Sequence, residues 1–417
     1  MLMSKYYQRA LAVAAVLLFF TNLNLYLFIS NAVSFPPLFW IIGFAVVAAP
    51  LCFARRSLMV LRQSLMTSWC YGFLVVSGIW LLCQAAQSDM VWQEFRTRIL
   101  SVLFLLMLLC VFSKTDAQVW ARQTILFAVL VGVAVNVYEV FNPSTFSSVL
   151  GRSAGLYVNP TQAGAALVIG MVLSVGLLPQ RLRLAFMLVV GLGIFLTFSR
   201  AAVMGWFITI LVVICTGQIN LKRSILTGCA VLSLAGAALF WQWDTLQYKL
   251  EDLGVLNSNV LTRVKWFNDF DSKDFSAVER EEAAHLAWQM FSDNPIFGYG
   301  VGASINWEFE VSSHNQYLNM MVDHGILGLF ILPCLVLATI WRSQGEARKI
   351  GLAFAVFVFQ WGLFSHNVLE ERYILLAFSL LGAMSLEGKS HYKQHLDQAP
   401  ESSFTHEDRS YNHCLAR

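Results

Sequence analysis

The stretch SSHNQYLNMMVDHG (312–325) closes a long polar insertion in a chain that is otherwise one apolar segment after another. The insertion begins at Trp243, and residues 244–313 contain no apolar run long enough to cross a bilayer. These residues hold nearly half of the chain's 25 Asp and Glu residues. This contrast predicts a bundle of apolar helices that is interrupted once, late in the chain, by a large, partly helical polar loop.

Composition places the rest of the chain in a membrane. The sequence is 57% hydrophobic and only 13% charged, with a mean hydropathy of +0.61. Soluble domains are about a quarter charged, so 417 residues of this makeup cannot hide their apolar surface in a water-soluble core. We therefore expect an all-α polytopic integral membrane protein that contacts the lipid bilayer and has no nucleic-acid partner.

The apolar segments have the length of membrane spans. A bilayer core of about 30 Å requires roughly 20 apolar residues in a helix. By that measure the sequence predicts about 12 spans, near residues 10–30, 33–54, 66–86, 98–113, 119–141, 158–178, 184–199, 201–217, 223–243, 316–341, 350–368 and 371–387. The chain then divides into spans 1–9 (1–243), the polar loop (244–313), spans 10–12 (314–387) and a disordered tail (388–417).

The basic residues predict the orientation, because cytoplasmic loops are enriched in Lys and Arg. With the N-terminus inside, the inner loops carry Arg55, Arg56, Arg62, Lys114, Arg122, Arg181, Arg183, Lys222, Arg223, Arg342, Arg348 and Lys349. Apart from the long polar loop, the short outer segments carry Arg96, Arg98, Arg152, Arg200 and Arg372. Both termini are then cytoplasmic, and the polar loop faces the periplasm if the membrane is a bacterial inner membrane.

The sequence gives no sign of a metal site. Seven of the eight cysteines lie in apolar spans, where we interpret them as small buried residues. Asp269, Asp271 and Asp274 form the densest carboxylate cluster, but the segment lacks the glycine and the closing glutamate of a calcium-binding loop. We interpret it as a solvated acidic loop and expect neither metal nor cofactor.

Residues 276–294 predict an amphipathic helix that ends before Pro295. Arg280 leads the apolar face of this helix, which consists of Ala284, Ala287, Trp288 and Phe291. In the first turn, Arg280 lies near unpaired backbone N–H groups, which favour an anion. The alternative for Arg280 is a salt bridge with Glu281 or Glu282.

His314 stands at the start of the next helix, where Leu318, Met321, Val322 and Gly325 predict the packed face. Its imidazole suits a general base, with an ordinary pKa near 6.5; a helix cap is the alternative. A second Ser-His-Asn at 365–367 makes His366 a reserve candidate, together with Arg372. The glycines of NPIFGYGVG (294–302) indicate an ordinary turn, since a phosphate-binding loop would need a following Lys.

The outer arginines fall into two groups. Arg96 and Arg98 are expected to snorkel to the membrane interface. Arg152 and Arg200 adjoin apolar spans, where a charge usually faces a cavity or a ligand. We expect them to converge with Arg280, and three guanidinium groups suit a diphosphate, which they bind through charge-assisted, often bidentate hydrogen bonds.

Four segments together resemble the O-antigen ligase family. They are GRSAGLYVNPTQAG (151–164), LTFSRAAVMGW (196–206), EREEAAHLAWQMFSDNPIFGYGVG (279–302) and SSHNQYLNMMVDHGILGLF (312–330). Each motif is short, but their order matches the family's. So does the layout of about twelve spans with one large periplasmic loop.

The resemblance implies a glycosyltransferase of lipopolysaccharide biosynthesis. Such a ligase moves polysaccharide from undecaprenyl diphosphate to a sugar hydroxyl of lipid A–core without a metal ion, and we expect inversion at the anomeric carbon. Arg200 and Arg280 match the family's essential arginines and His314 its essential histidine, while Arg152 matches a recurrent position. An O-antigen polymerase and a protein O-oligosaccharyltransferase remain alternatives, and a secondary transporter is a distant one.

Overall fold

A computed structural model describes residues 2–84, 88–241, 252–255, 257, 260–261, 275–305 and 313–398. Within these residues all regular structure is helical, and none is strand. Lipid offers no hydrogen-bond partners, so an apolar chain satisfies its backbone N–H and C=O groups within each helix. The all-α class predicted from the sequence is confirmed.

The helices share a predominantly apolar composition and follow one another with short connections. In chain order they are α1 (Leu2–Ala15), α2 (Leu23–Ile29), α3 (Pro37–Cys52), α4 (Arg55–Gln63), α5 (Leu65–Cys83), α6 (Asp89–Val111), α7 (Thr115–Phe141), α8 (Pro160–Ser174), α9 (Gln180–Phe195), α10 (Arg200–Cys215), α11 (Leu221–Trp241), α12 (Phe275–Asp293), α13 (Gln316–His324), α14 (Gly328–Ile340), α15 (Gly345–Trp361) and α16 (Arg372–Gln398). A π-helical turn, Val16–Phe20, continues α1, and 3-10 turns occur at Gly155–Tyr157, Val175–Leu177 and Gly325–Leu327.

Each of the twelve predicted spans overlaps at least one described helix, but fewer helices are long and apolar enough to cross a membrane. Among the described residues four qualify: Leu65–Cys83, Thr115–Phe141, Pro160–Leu177 and Gln316–Ile340. Two bent pairs bring the number to six, one being α1 with α2 (47°) and the other α3 with α4 (96°). The chain is thus a multi-pass membrane protein, and the count of twelve spans stays a prediction.

The centre of the bundle is α8, which packs against α7, α9, α10, α15 and α16. Every residue of α8 from Ala163 to Ser174 is buried. A Cβ on Gly164 would lie only 2.6 Å from the Cβ of Ala202. Because glycine lacks that atom, the first turns of α8 and α10 meet closely. This contact fixes the end of the bundle where the polar residues gather.

The described parts of the polar insertion pack onto the bundle. Helix α12 lies against α13 and buries Ala283, Ala287 and Phe291. The predicted apolar face was wrong at Trp288, whose side chain is 53% exposed because the buried stripe runs through Ala283 instead. A second part of the insertion reaches the loop after α7, where the Asn257 amide donates to the Leu150 carbonyl at 2.9 Å.

The C-terminal helix is longer than its predicted span. Helix α16 continues to Gln398, beyond residue 387, since Leu, Glu, Lys and Gln are good helix formers and extend an existing helix easily. The remainder of the predicted tail lies outside the described residues. So does the acidic cluster of Asp269, Asp271 and Asp274.

Candidate functional site

One cavity brings together four of the residues singled out from the sequence. It encloses about 310 Å³ and is lined by Arg152, Arg280, His314 and His366. The remaining lining comes from the loop before α8, the start of α8, the last residue of α15 and the segment after it: Ser148, Val149, Asn159, Pro160, Thr161, Gln162, Trp361, Phe364, Ser365 and Asn367. Four chain segments far apart in sequence therefore contribute to one polar site.

Arg152 is held in place through its own guanidinium and its neighbour. Its Nε donates to the Thr197 carbonyl at 2.9 Å, and the Ser153 backbone N–H donates to the Leu196 carbonyl at 3.0 Å. Arg152 is 7% exposed. These contacts tie the loop before α8 to the turn between α9 and α10, so that Arg152 projects at the cavity wall.

Arg280 reaches the cavity from the second turn of α12, which begins at Phe275, and is itself half-buried. The prediction that Arg280 lies in the first turn, beside unpaired backbone N–H groups, was therefore wrong. Ala283 and Ala287, on the same face of the helix, are fully buried. Because the side chains at these two positions are small, α12 packs closely against its neighbours. This close packing positions Arg280 at the cavity. A guanidinium there adds positive charge to the cavity that Arg152 already lines.

His314 adopts an unusual backbone conformation, with a φ of +49°. Few residues other than glycine occupy this left-handed region, although Asn, Asp and His do so more often than the rest. The cap of α13 is Asn315, whose Oδ1 accepts from the N–H groups of Tyr317 and Leu318 at 3.0 and 3.2 Å. His314 is therefore not the helix cap, and the left-handed turn places its ring in the cavity wall.

The two histidines of the cavity pack edge to face. Their ring centroids are 5.1 Å apart and the rings are inclined by 75°. Burial, the positive charge of Arg280 and the neighbouring His366 together lower the pKa of His314 from 6.5 to about 4. At neutral pH the His314 imidazole is consequently uncharged and can accept a proton.

The segment with the second Ser-His-Asn is anchored on both sides. The Asn367 amide donates to Glu371 at 2.7 Å, and the Ser365 hydroxyl donates to Asn367 Oδ1 at 2.7 Å. The Gln316 side-chain oxygen accepts from the Val368 N–H at 2.8 Å. This last bond joins the segment to the start of α13, two residues after His314, and explains why both histidines face the same cavity.

Arg200 and Arg372 are not among the described residues that line the cavity. Arg200 begins α10, three residues after the Thr197 carbonyl that accepts from Arg152. The Ala201 carbonyl accepts from the Gln360 amide at 3.1 Å, and Gln360 precedes a lining residue. Arg372 begins α16. The expected convergence thus includes Arg152 and Arg280, whereas Arg200 does not line the cavity.

The snorkelling predicted for Arg98 is wrong. Arg98 is 3% exposed, donates from Nε to Glu94 at 2.9 Å and forms an ion pair with Asp323. Its Nη1 lies 3.0 Å from Nε2 of His324. The four-residue spacing of Glu94 and Arg98 was the one sequence signal for this network. Asp323, 225 residues away from Arg98, had none.

Asp323 also holds the glycine-rich turn of residues 298–302. Its two carboxylate oxygens accept from the N–H groups of Gly302 and Ser304, each at 3.1 Å. Gly298, Gly300 and Gly302 have φ angles of +68°, +101° and +80°. The turn predicted from these glycines is present, and it docks on α13 and lies outside the cavity lining.

Metal ligation has no support among the residues that the structure describes. No three His, Cys, Asp or Glu side chains within them are grouped so as to hold a metal ion.

Residues 184–333 match the O-antigen ligase family, which confirms the resemblance drawn from the motifs over that region. The matched region includes Arg200, Arg280 and His314, whereas Arg152 and His366 lie outside it. A search of curated proteins finds no match. The family match and the apolar helices support a membrane glycosyltransferase of the O-antigen ligase or polymerase type, whose substrates are lipid-linked glycans.

Proposed function

We propose that this protein is an O-antigen ligase. It would transfer polysaccharide from undecaprenyl diphosphate to a sugar hydroxyl of lipid A–core, at the periplasmic face of a bacterial inner membrane. The observation that carries the proposal is the polar cavity in which two arginines and two histidines meet. Anionic donor and hydroxyl acceptor are the two substrate groups that such a combination suits.

The arginines would bind the donor. Guanidinium groups hold phosphate oxygens through charge-assisted hydrogen bonds that fix orientation as well as charge. Arg152 and Arg280 would contact the diphosphate, and Arg200 would add positive potential from the start of α10. As the bond between the sugar and the diphosphate breaks, negative charge grows on the leaving oxygen. Fixed positive groups stabilise that charge and so lower the barrier.

His314 would act on the acceptor. A neutral imidazole can take the proton of a sugar hydroxyl while that hydroxyl attacks the anomeric carbon. Attack from the face opposite the diphosphate inverts this carbon. Bound diphosphate would also offset the positive charge of Arg280, which is one of the causes of the low pKa of His314. Donor binding would therefore make His314 a stronger base. His366, in ring contact with it, is the reserve for this role.

The test is the lipopolysaccharide profile of a deletion strain complemented with variants. Loss of a ligase leaves the core bare while lipid-linked polymer accumulates. Arg280→Ala and His314→Ala should fail to restore the polymer, although both proteins insert at normal levels. His285→Ala is the matched control, because His285 is an exposed histidine on the same helix as Arg280. Transfer by either site variant at the rate of the control would refute the assignment.

The same experiment separates the nearest alternatives. A polymerase deletion leaves core capped by a single repeat, and a protein O-oligosaccharyltransferase deletion removes stained glycoproteins while the core stays capped. The family match fits ligase and polymerase alike. A core that carries one repeat would assign the cavity to chain extension instead of ligation.

A further inference from the structure

One buried carboxylate accepts hydrogen bonds from both ends of the loop that carries Arg152. Glu139 lies near the end of α7 and is 2% exposed. Its Oε1 accepts from the backbone N–H groups of Phe146, at 3.0 Å, and Ser147. Its Oε2 accepts from those of Ala154, at 2.8 Å, and Gly155, at 3.0 Å. A carboxylate has about four acceptor positions, and here four backbone donors use them.

These four donors come from both ends of one loop segment. Phe146 and Ser147 precede the part that lines the cavity, and Ala154 and Gly155 follow it. Ser148, Val149 and Arg152 lie between them and contribute to the cavity wall. The Glu139 side chain therefore fixes the distance between the two ends of the loop that carries Arg152.

Neighbouring bonds fix the same loop to the adjacent helices. The Ser153 hydroxyl donates to the Asn136 carbonyl on α7 at 2.9 Å, and the Asn136 amide donates to the Gly193 carbonyl on α9 at 3.0 Å. Arg152 itself donates to Thr197 just before α10. Glu139 is thus an acceptor in a hydrogen-bond network that connects α7, the loop and the turn before α10.

We propose that Glu139 is a positioning residue for donor binding, which it serves by holding Arg152 at the cavity wall. This inference rests on the proposed diphosphate site. Glu139 does not line the cavity, so its effect on the donor would pass through the loop. An acceptor-only group is required at this position. The amide of a glutamine would present N–H donors to two backbone N–H groups and release one end of the loop.

A purely structural role for Glu139 makes a different prediction. If the carboxylate only stabilised the fold, its removal would lower thermal stability and leave anion affinity in the folded fraction unchanged. If it positions Arg152, the two residues are coupled. The effects of Glu139→Gln and Arg152→Ala on anion affinity would then not add, because the second substitution removes the group that the first one misplaces.

The experiment measures binding of inorganic diphosphate to the purified full-length chain in lipid nanodiscs. We expect Glu139→Gln to weaken binding about tenfold, the scale of coupling between residues in one network. In the Arg152→Ala background the same change should weaken it less than about twofold. Glu346→Gln is the matched control. Glu346 is a carboxylate that pairs with Arg122, an early residue of α7, whereas Glu139 lies near the end of that helix. Its replacement should leave affinity unchanged.

A milder variant covers the case in which Glu139→Gln does not fold. Ser153→Ala removes only the hydroxyl bond to Asn136 and should weaken diphosphate binding about threefold, again only when Arg152 is present. Full additivity of either variant with Arg152→Ala, or wild-type affinity in the folded variant, would overturn the positioning role. If Arg152→Ala itself bound diphosphate like the wild type, the proposed site would fail instead, which is a separate result.

Discussion

Replacing Arg280 should raise the pKa of His314. The present environment lowers that pKa from 6.5 to about 4, with burial as the largest cause and the charge of Arg280 as the next. At pH 5, an imidazole with a pKa of about 4 is about 90% neutral, whereas one at 6.5 is about 3% neutral. In Arg280→Gln the pKa should rise but stay below 6.5, because burial persists. The uncharged form should then disappear at higher pH than in the wild type.

Site-resolved reaction with diethyl pyrocarbonate measures this change. The reagent modifies neutral imidazole, and mass spectrometry of the peptide that contains His314 reports its extent between pH 4 and 8 at this site alone. Arg348→Gln is the matched control. Arg348 is an exposed arginine on α15, about 20 Å along the helix from Trp361 at the cavity. The control should titrate like the wild type.

Two results would contradict this reasoning. A midpoint for His314 that is the same in Arg280→Gln and in the wild type would mean that the guanidinium does not act on the ring. A wild-type midpoint near 6.5 would mean that the ring is not buried beside a positive charge.

The lowered pKa of His314 also predicts how stability depends on pH. Since the folded state lowers this pKa, the contribution of His314 to the free energy of unfolding is present above pH 6.5 and is lost as pH falls toward 4.

Two further predictions concern stability. Arg98→Ala should lower the melting temperature strongly, because it leaves the buried carboxylate of Asp323 without its cation and lowers the free energy of unfolding by about 3–5 kcal/mol. Arg96→Ala, on the exposed side of the same helix, should change the melting temperature little. Equal melting temperatures for the two variants would show that the ion pair does not stabilise the fold. Gly298→Ala should destabilise more than Gly217→Ala, although their φ angles are +68° and +67°, because a Cβ at residue 298 would lie 2.5 Å from the Val322 carbonyl and one at residue 217 has open space. Equal thermal shifts for the two glycine variants would mean that the turn yields without cost.

Some of the site was readable from local sequence. Arg280 could be placed because the spacing of alanines after it and Pro295 beyond it define a helix and its end. His314 stood out because it directly precedes an apolar helix at the edge of a polar insertion. Their roles stay predictions. The spacing did not predict which side chains of α12 are buried. Ala283 is buried and Trp288 is exposed because of how α12 packs against α13, and not because of their hydrophobicity.

Other parts depended on contacts between distant segments. Arg98 was misplaced because its partner Asp323 lies on another helix, and a lone arginine near a span end is more often at the interface. Glu139 gave no signal at all, because its four partners are backbone N–H groups of a loop that has no distinctive side-chain pattern. Backbone donors are identical in every residue type except proline, so the sequence does not mark which of them a carboxylate will meet.

The sequence by itself determined that this chain is a bundle of apolar helices with one polar insertion, because lipid forces each apolar segment to satisfy its backbone internally. It also determined the order of the motifs that match the O-antigen ligase family over residues 184–333. Only the tertiary structure decided which charges share a cavity. Arg152 and His366 join Arg280 and His314 there, while Arg98 is drawn into a buried ion pair. The reason is physical: a charged side chain near lipid pairs with a polar group that helix packing brings close to it. That group can lie on a helix far away in the sequence, so no local stretch predicts the pairing.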